Sequence, residues 1–425
     1  MEKVKKYSAE TFDLMQYFYG SVHDPLIHCL IRLSVHIDEM LLKKAVTLSL
    51  AAIPMIRCCF DSSSRRPAWK DNGFTGDDIV RMFPCEADDT GQSMGLLVST
   101  IDIAHEPQLR INVIRGKESG DTLCLVINHM VCDGSGFKEY IYLLCELYTK
   151  LLNDVEYKPD PKFYPRGAGQ LFKGIGAAEK LGILFSKYDL SWQSHKTSMK
   201  LAGDTSNPFI VTRRIEKAEL ASIKAYAKSM GASVNDMFMT AYIRLLSRRT
   251  GKERIVIPCP VDLRKYIPKT QKHGICNLTS NYCCDVTVRG EDSFRDTLAE
   301  VSRQMKLQKD SSKSLKSVIM LELAFRVLPY RFLKRNFEKF FTIPVVSYTN
   351  LGVMDGQLLR FGDIDVTEAF LTGAIKYVPY FQVAVSTYDD CCTLTCNLHG
   401  TPGDRIWIES FLEGLAKELL DRSGE

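Results

Sequence analysis

A histidine and an aspartate four residues apart are the side chains best placed to do chemistry. His129 and Asp133 follow a short apolar run, Leu123 to Ile127, which predicts a buried strand. An imidazole has an ordinary pKa of about 6.5, so near neutral pH it can take a proton from an attacking alcohol, amine or thiol. The pattern is therefore typical of a general base that serves acyl transfer. The alternative is a structural histidine bonded to a backbone carbonyl, with Asp133 in an ordinary turn.

The residues after Asp133 predict how this pair is positioned. Gly134 and Gly136 break the strand and let the chain turn sharply. Apolar residues then recur at three- and four-residue steps from Phe137 to Leu151, which indicates an amphipathic helix lying on a sheet. The sequence thus predicts a strand–turn–helix unit with His129 at the carboxyl end of the strand, where α/β folds place their chemistry.

The whole motif, N-H-M-V-C-D-G from Asn128 to Gly134, resembles the HHxxxDG signature of the condensation-domain and CoA-dependent acyltransferase superfamily. That superfamily includes chloramphenicol acetyltransferase. Its catalytic histidine is the second of the doublet, which is His129 here, while Asn128 replaces the first. The resemblance implies a catalytic motif formed by His129, Asp133 and Gly134, with Asn128 available to bind substrate or the oxyanion. The missing first histidine disfavours a peptide-synthetase condensation domain proper.

Three further segments extend the resemblance into the second half of the chain. Ala232 to Leu246 is similar to the family's "TxNDxxxAAxxxxL" helix, and Val261 to Arg264 is similar to its "PVxxR" motif. Gly274 to Asn281 resembles a loop that carries a glycine and an asparagine in relatives. The resemblance implies that Arg264 pairs with Asp133 and joins two halves beneath the catalytic loop. Because the planar guanidinium matches a carboxylate, we predict a bidentate contact. The alternative is a solvated surface arginine.

Val345 to Gly352 is the last matching segment and is similar to the family's "VSNLG" strand, with two extra residues between the serine and the asparagine. In relatives this strand lines the channel opposite the histidine. Ser347 or Asn350 would then donate a hydrogen bond to the tetrahedral oxyanion. Alternatively, Asn350 to Gly352 simply turns the chain.

The resemblance implies an α/β fold of two chloramphenicol-acetyltransferase-like halves, each with a mixed sheet flanked by helices, and an active-site tunnel between them. We predict an N-terminal half over residues 1–165 and a C-terminal half over 209–425. Residues 153–210 hold Pro159, Pro161 and Pro165, several glycines and the polar run from Ser191 to Asn207, with a helical stretch only at Ala177 to Tyr188, and the predicted segment between the halves is 166–208. This composition is typical of a crossing segment.

The composition narrows the classes of molecule that the protein could bind. The 425 residues include 55 basic and 51 acidic side chains, which implies no nucleic-acid partner but leaves basic residues that could attract an anionic carrier such as CoA or phosphopantetheine. Fourteen cysteines show no zinc spacing, and neither a metal nor a permanently bound cofactor is expected. With no signal peptide and no run of 18 apolar residues, a cytoplasmic monomer without a membrane span is predicted.

These observations predict an acyltransferase that moves a short acyl group, such as acetyl, from a CoA thioester to a hydroxyl or amine of a small molecule. A chain that ends soon after its last helix favours free CoA as donor. Three alternatives remain: a condensation enzyme that uses an acyl carrier protein and forms an amide or ester, a non-catalytic condensation-like binding module, and a cysteine hydrolase that uses Cys132 with His129.

Overall fold

The computed structural model describes residues 5–85, 89–117, 120–160, 162–186, 197–309, 314–340 and 343–421. Its helices are α1 (Thr11–Phe18), α2 (Glu39–Ser49), α3 (Gly76–Ile79), α4 (Asp89–Leu97), α5 (Gly134–Asn153), α6 (Ala177–Phe185), α7 (Lys217–Ser229), α8 (Val234–Thr250), α9 (Phe294–Lys309), α10 (Ser314–Val327), α11 (Tyr330–Phe340) and α12 (Pro402–Leu420). Its strands are β1 (Lys6–Ser8), β2 (Leu26–Leu33), β3 (Cys58–Asp61), β4 (Ala68–Asp71), β5 (Val80–Pro84), β6 (Leu109–Arg115), β7 (Thr122–Asn128), β8 (Pro208–Ile215), β9 (Arg254–Asp262), β10 (Thr279–Thr287), β11 (Val346–Met354), β12 (Val366–Thr372), β13 (Lys376–Tyr377), β14 (Phe381–Tyr388) and β15 (Cys391–His399).

The first large sheet has the order β12-β2-β7-β6-β5. Strand β7 lies at its centre and pairs antiparallel with β2 and β6. Every residue of β7 is buried, because α5 covers one face of the sheet and other chain segments cover the opposite face. Burial on both faces explains why β7 reads as a continuous apolar run and not as an alternating one. The predicted strand and the helix after it are both confirmed.

The second large sheet has the order β11-β14-β15-β13, and β8 pairs with β15 on the other side. Strand β11 runs parallel to β14, while β15 is antiparallel to both β14 and β8. Helices α8 and α12 pack on this sheet through buried aromatic residues such as Tyr242 and Phe411, whose rings meet edge to face. Two smaller sheets, β9-β10 and β1-β4-β3, complete the α/β architecture.

The two halves are interlocked and not simply joined in series. Strand β12 belongs to the range 209–425 but pairs antiparallel with β2 in the first sheet. Residues Leu359, Phe361 and Leu371 pack in the N-terminal core with it. The predicted division between 1–165 and 209–425 therefore does not separate the two sheets, because β12 supplies the edge that β2 would otherwise leave open.

The segment between the halves is only partly described. Helix α6 confirms helical structure at Ala177–Phe185, whereas the end of the predicted stretch at Tyr188 lies outside the described residues. No helix in the described ranges is long and apolar enough to cross a membrane.

Candidate active site

The turn between β7 and α5 carries the motif. Asp133 caps α5, since its Oδ1 accepts a hydrogen bond from Gly136 N at 2.8 Å. Gly136 is required by close approach, because a Cβ there would lie 2.8 Å from Cys132 Cβ and 3.0 Å from the carbonyl oxygen of Cys276. The spacing D-G-x-G thus closes a tight turn that ends the strand and starts the helix, and it leaves His129 on the turn.

The imidazole of His129 is held by its own loop. Its Nδ1 lies 3.0 Å from the carbonyl oxygen of Cys132. A carbonyl only accepts hydrogen bonds, so Nδ1 must carry the proton and Nε2 keeps its lone pair. Burial lowers the pKa of His129 below its ordinary value. The ring is therefore neutral near pH 7, with Nε2 able to accept a proton.

The backbone of His129 is fixed from both halves. Its N–H donates to the carbonyl of Pro25 at 2.7 Å, just before β2. From the C-terminal half, Asn277 Nδ2 donates to the carbonyl oxygens of His129 at 2.8 Å and Met130 at 3.1 Å. Asn277 lies in the 274–281 loop that the sequence singled out. Because these bonds satisfy backbone groups on both sides of the imidazole, they set its position between the halves.

A buried ion pair holds the next residue of the loop. Arg166 Nη1 and Nη2 each lie 3.0 Å from a carboxylate oxygen of Asp13, and Nη2 also donates to the carbonyl of Val131 at 2.9 Å. Both side chains are almost fully buried. Asp13 lies on α1 and Arg166 starts the crossing segment, so neither has a local sequence pattern that links it to the motif.

The carboxylate of Asp133 points away from the imidazole. Its Oδ2 accepts from Arg264 Nη1 at 3.0 Å, Leu278 N at 2.7 Å and Thr279 Oγ1 at 2.8 Å. Burial alone would raise the pKa of Asp133, but the charge and hydrogen bonds of Arg264 outweigh burial and hold the pKa below its usual range. Since His129 Nδ1 instead faces the carbonyl of Cys132, no serine-protease-like triad is formed.

The predicted pair of Asp133 with Arg264 is confirmed, with one correction to its geometry. The sequence predicted a bidentate contact, but only Nη1 reaches the carboxylate. Nη2 donates to the carbonyl of Cys276 at 2.8 Å, and Nη1 also contacts Asp262 at 3.1 Å. Arg264 therefore connects the catalytic loop to two parts of the second half and does not form a bidentate salt bridge with Asp133 alone.

Asn128 does not face a substrate, so its predicted binding role is wrong. It is fully buried; its Nδ2 donates to Gln108 Oε1 at 2.7 Å and its Oδ1 accepts from Met130 N at 2.9 Å. The side chain at the last position of β7 lies in the core because both faces of this strand are covered. Asn128 shapes the start of the turn.

Ser347 and Asn350 both lie on β11. The amide of Asn350 is exposed and is engaged with its own surroundings: Nδ2 donates to Asn235 Oδ1 at 2.9 Å, and Oδ1 accepts from Gly352 N at 2.8 Å. Ser347 is half-buried on β11, where its carbonyl accepts from Tyr242. Within the described residues, no hydrogen bond joins either side chain to the His129 loop, and the oxyanion role of both residues stays a prediction.

Strand β11 nevertheless lies against the motif helix, as predicted. Lys138 Nζ on α5 donates to the carbonyl of Leu351 at 2.6 Å. A Cβ on Gly134 would lie 2.4 Å from Leu351 Cδ2. Gly134 therefore serves the packing of β11 on α5 and has no side chain with which to touch substrate.

The cysteine in the motif is unsuited to nucleophilic catalysis. Cys132 is fully buried, and burial raises the pKa of its thiol well above the ordinary value. The thiol stays protonated, which disfavours the cysteine-hydrolase alternative. The described residues also include no group of three or more His, Cys, Asp or Glu side chains arranged to hold a metal ion.

Comparison with known proteins shows which solved structures share the fold of this chain. No family model matches the chain. The epimerization domain from the third module of tyrocidine synthetase B matches with a TM-score of 0.68 at 16% identity, over 99% of this chain and 97% of that one. The first condensation domain of the calcium-dependent antibiotic synthetase matches with a TM-score of 0.69 at 14% identity, over 99% and 98%.

An acetyltransferase matches equally well. The trichothecene 15-O-acetyltransferase of Fusarium sporotrichioides has a TM-score of 0.72 at 10% identity, over 98% of this chain and 95% of that one. Each match spans both halves. The chain therefore has the fold that condensation domains and this acetyltransferase share, as the resemblance of its 128–134 motif implied.

Proposed function

We propose that the protein is an acyltransferase that moves a short acyl group from a CoA thioester to a hydroxyl or amine of a small molecule, with His129 as general base. The observation that carries this proposal is the tautomer of His129. Its Nδ1 is committed to the carbonyl of Cys132, so Nε2 has a free lone pair in a neutral ring. The loop that holds the ring is fixed by both halves.

In this mechanism the acceptor loses one proton to Nε2 of His129 as its oxygen or nitrogen bonds to the thioester carbon. The tetrahedral intermediate then expels the thiolate by breaking the C–S bond, and the imidazolium returns the proton to sulfur. The products are an ester or amide and free CoA. Asp133 takes no proton, because its carboxylate is engaged with Arg264, Leu278 and Thr279.

The test is release of free thiol from acetyl-CoA in the presence of pooled alcohols and amines. We expect His129→Ala to lower kcat/KM by about 10²–10⁴-fold, the usual contribution of a general base. His105→Ala is a matched control, since His105 is an exposed histidine bonded to Asp102. Unchanged turnover in His129→Ala would contradict the mechanism, whereas Cys132→Ala should leave the chemical step intact.

A carrier-protein-dependent condensation enzyme is the second candidate. It is favoured by one finding, the match over nearly the whole chain to the condensation domain of a peptide antibiotic synthetase. Transfer from an acyl-phosphopantetheine carrier but not from acyl-CoA would select it. Absence of transfer from either donor, with acyl-CoA still bound, would instead select the binding-module alternative.

A further inference from the structure

A second group of buried titratable side chains lies beside the His129 loop. The segment before β2 bonds to the residue just before β13: Asp24 N donates to the carbonyl of Ile375 at 3.1 Å, and Ile375 N donates to Asp24 Oδ1 at 3.0 Å. The next residue, Pro25, accepts the backbone N–H of His129. These contacts bring β13, and with it Lys376, next to the catalytic loop.

Lys376 has an unusual environment for an ammonium group. Its exposed fraction is 9%, yet its Nζ makes no hydrogen bond or ion pair with any residue in the described part of the chain. Burial lowers the pKa of Lys376 to about 8. An ammonium without a partner in such a place lowers stability, so packing alone does not account for it.

Asp24 is the nearest opposite charge and does not satisfy this lysine. Its carboxylate is held by backbone N–H groups, and no Asp24–Lys376 contact falls within the ion-pair limit of 4.0 Å in the described residues. Burial raises the pKa of Asp24 to about 7. The ammonium therefore remains available for a further anion.

The charge of Lys376 reaches the catalytic histidine. After burial, it is among the causes that lower the pKa of His129, and it also lowers the pKa of His23, the residue that forms a backbone bridge with Lys376. A group bound to Lys376 would thus lie near the imidazole that accepts the proton of the acceptor.

We propose that Lys376 binds the carboxylate of an acidic acceptor and so orients the acceptor's hydroxyl or amine towards His129. This proposal rests on the acyl-transfer function above. A monocarboxylate fits better than a phosphate, because the site offers one point charge, no arginine fork, and a neighbouring Asp24 that would repel a second negative charge. Lys376 is thus a specificity-determining residue for acidic hydroxy or amino compounds.

The experiment measures binding and transfer with matched pairs: 4-hydroxybenzoate, 3-hydroxybutyrate and β-alanine, each against its methyl ester. Dissociation constants come from ligand-observed NMR, and transfer from thiol release with acetyl-CoA. We expect at least one acid to bind the wild type about 10- to 100-fold more tightly than its ester, the usual range for a hydrogen bond to a charged group.

Three variants sharpen the test. Lys376→Met should remove the preference for that acid, and Lys376→Arg should restore part of it by keeping the charge. Lys228→Met removes an exposed lysine on α7 and should leave the preference unchanged. In transfer, Lys376→Met should raise KM for the acid and leave the ester unaffected.

The outcomes separate this proposal from the function on which it rests. A preference that depends on Lys376 without any thiol release would support the carboxylate site and overturn acyl transfer from CoA. Thiol release with no acid preference, or with a preference that survives in Lys376→Met, would overturn the carboxylate site alone. A Lys376→Met variant with lower kcat for acids and esters alike would also overturn it, since the ammonium would then act on the transition state.

Discussion

Of the buried pairs of opposite charge beside the catalytic loop, Asp133–Arg264 and Asp24–Lys376 are built in contrasting ways. Asp133 and Arg264 lie 3.0 Å apart, and each has further hydrogen bonds. Asp24 and Lys376 influence each other's charge without an ion pair between them. In the Asp133–Arg264 pair each charge is satisfied by hydrogen bonds, so the pair stabilises the fold. The second leaves an ammonium unsatisfied beside His129, as expected of a group kept for a ligand.

The pKa values show the same contrast. In the first pair each partner favours the charged form of the other, so the pKa of Asp133 is lowered and that of Arg264 is raised despite burial. In the second pair burial dominates, raising the pKa of Asp24 to about 7 and lowering that of Lys376 to about 8. Groups pushed towards neutrality in this way are typical of functional sites.

The largest expected change in stability comes from breaking the Asp133–Arg264 pair. Asp133→Ala or Arg264→Ala should each lower the free energy of unfolding by about 3–5 kcal/mol, because each leaves a buried charge without its partner. Urea unfolding measures this change. Arg303→Ala breaks the exposed pair with Glu300 and is the matched control, with an expected loss below about 1 kcal/mol. Equal losses in Asp133→Ala and the control would contradict the architectural role.

A smaller effect is expected from the amide that holds the loop. Asn277→Ala removes the hydrogen bonds to the carbonyls of His129 and Met130, which should cost about 1–3 kcal/mol of stability and lower kcat. Asn350→Ala is the control, since this exposed amide does not contact the loop in the described residues, and its change should stay within about 0.5 kcal/mol. A larger kcat loss in Asn350→Ala would instead support the predicted oxyanion role of Asn350.

The smallest effect on stability is expected at the unsatisfied lysine. Lys376→Met replaces a buried ammonium with an apolar side chain of similar length, so the free energy of unfolding should change by less than about 1 kcal/mol or rise. The same urea experiment measures it. If Lys376→Met lost as much unfolding free energy as Asp133→Ala, Lys376 would be a structural charge like those of the Asp133–Arg264 pair, and the two pairs would not differ.

The sequence predicted the features that are formed by residues close together in the chain. His129, Asp133 and the following helix form one continuous strand–turn–helix unit, and Arg264 follows a strand in a recognisable motif. Asn128 was misassigned because its burial depends on the chain segments that cover both faces of β7, and these come together only in the folded chain. Likewise, the sequence around Asn350 did not predict that its side-chain amide is exposed.

Long-range pairing could not be predicted. Asp24 bonds to Ile375, which is 351 residues away, and Arg166 pairs with Asp13 across 153 residues. Nothing near these residues marks them, because each contact arises only when separate strands and loops come together. The same holds for β12, whose strand pattern is visible but whose partner in the other half is not.

The pH dependence of kcat/KM tests the central claim, that a neutral His129 accepts the acceptor's proton. A base works when deprotonated, and burial lowers the pKa of His129. With a neutral alcohol as acceptor, which does not use the ammonium of Lys376, activity should therefore rise with pH in one step with a midpoint below about 6.5 and then stay level to pH 8. The residual activity of His129→Ala should lack this step. A midpoint above 7, or the same step in the variant, would contradict the account.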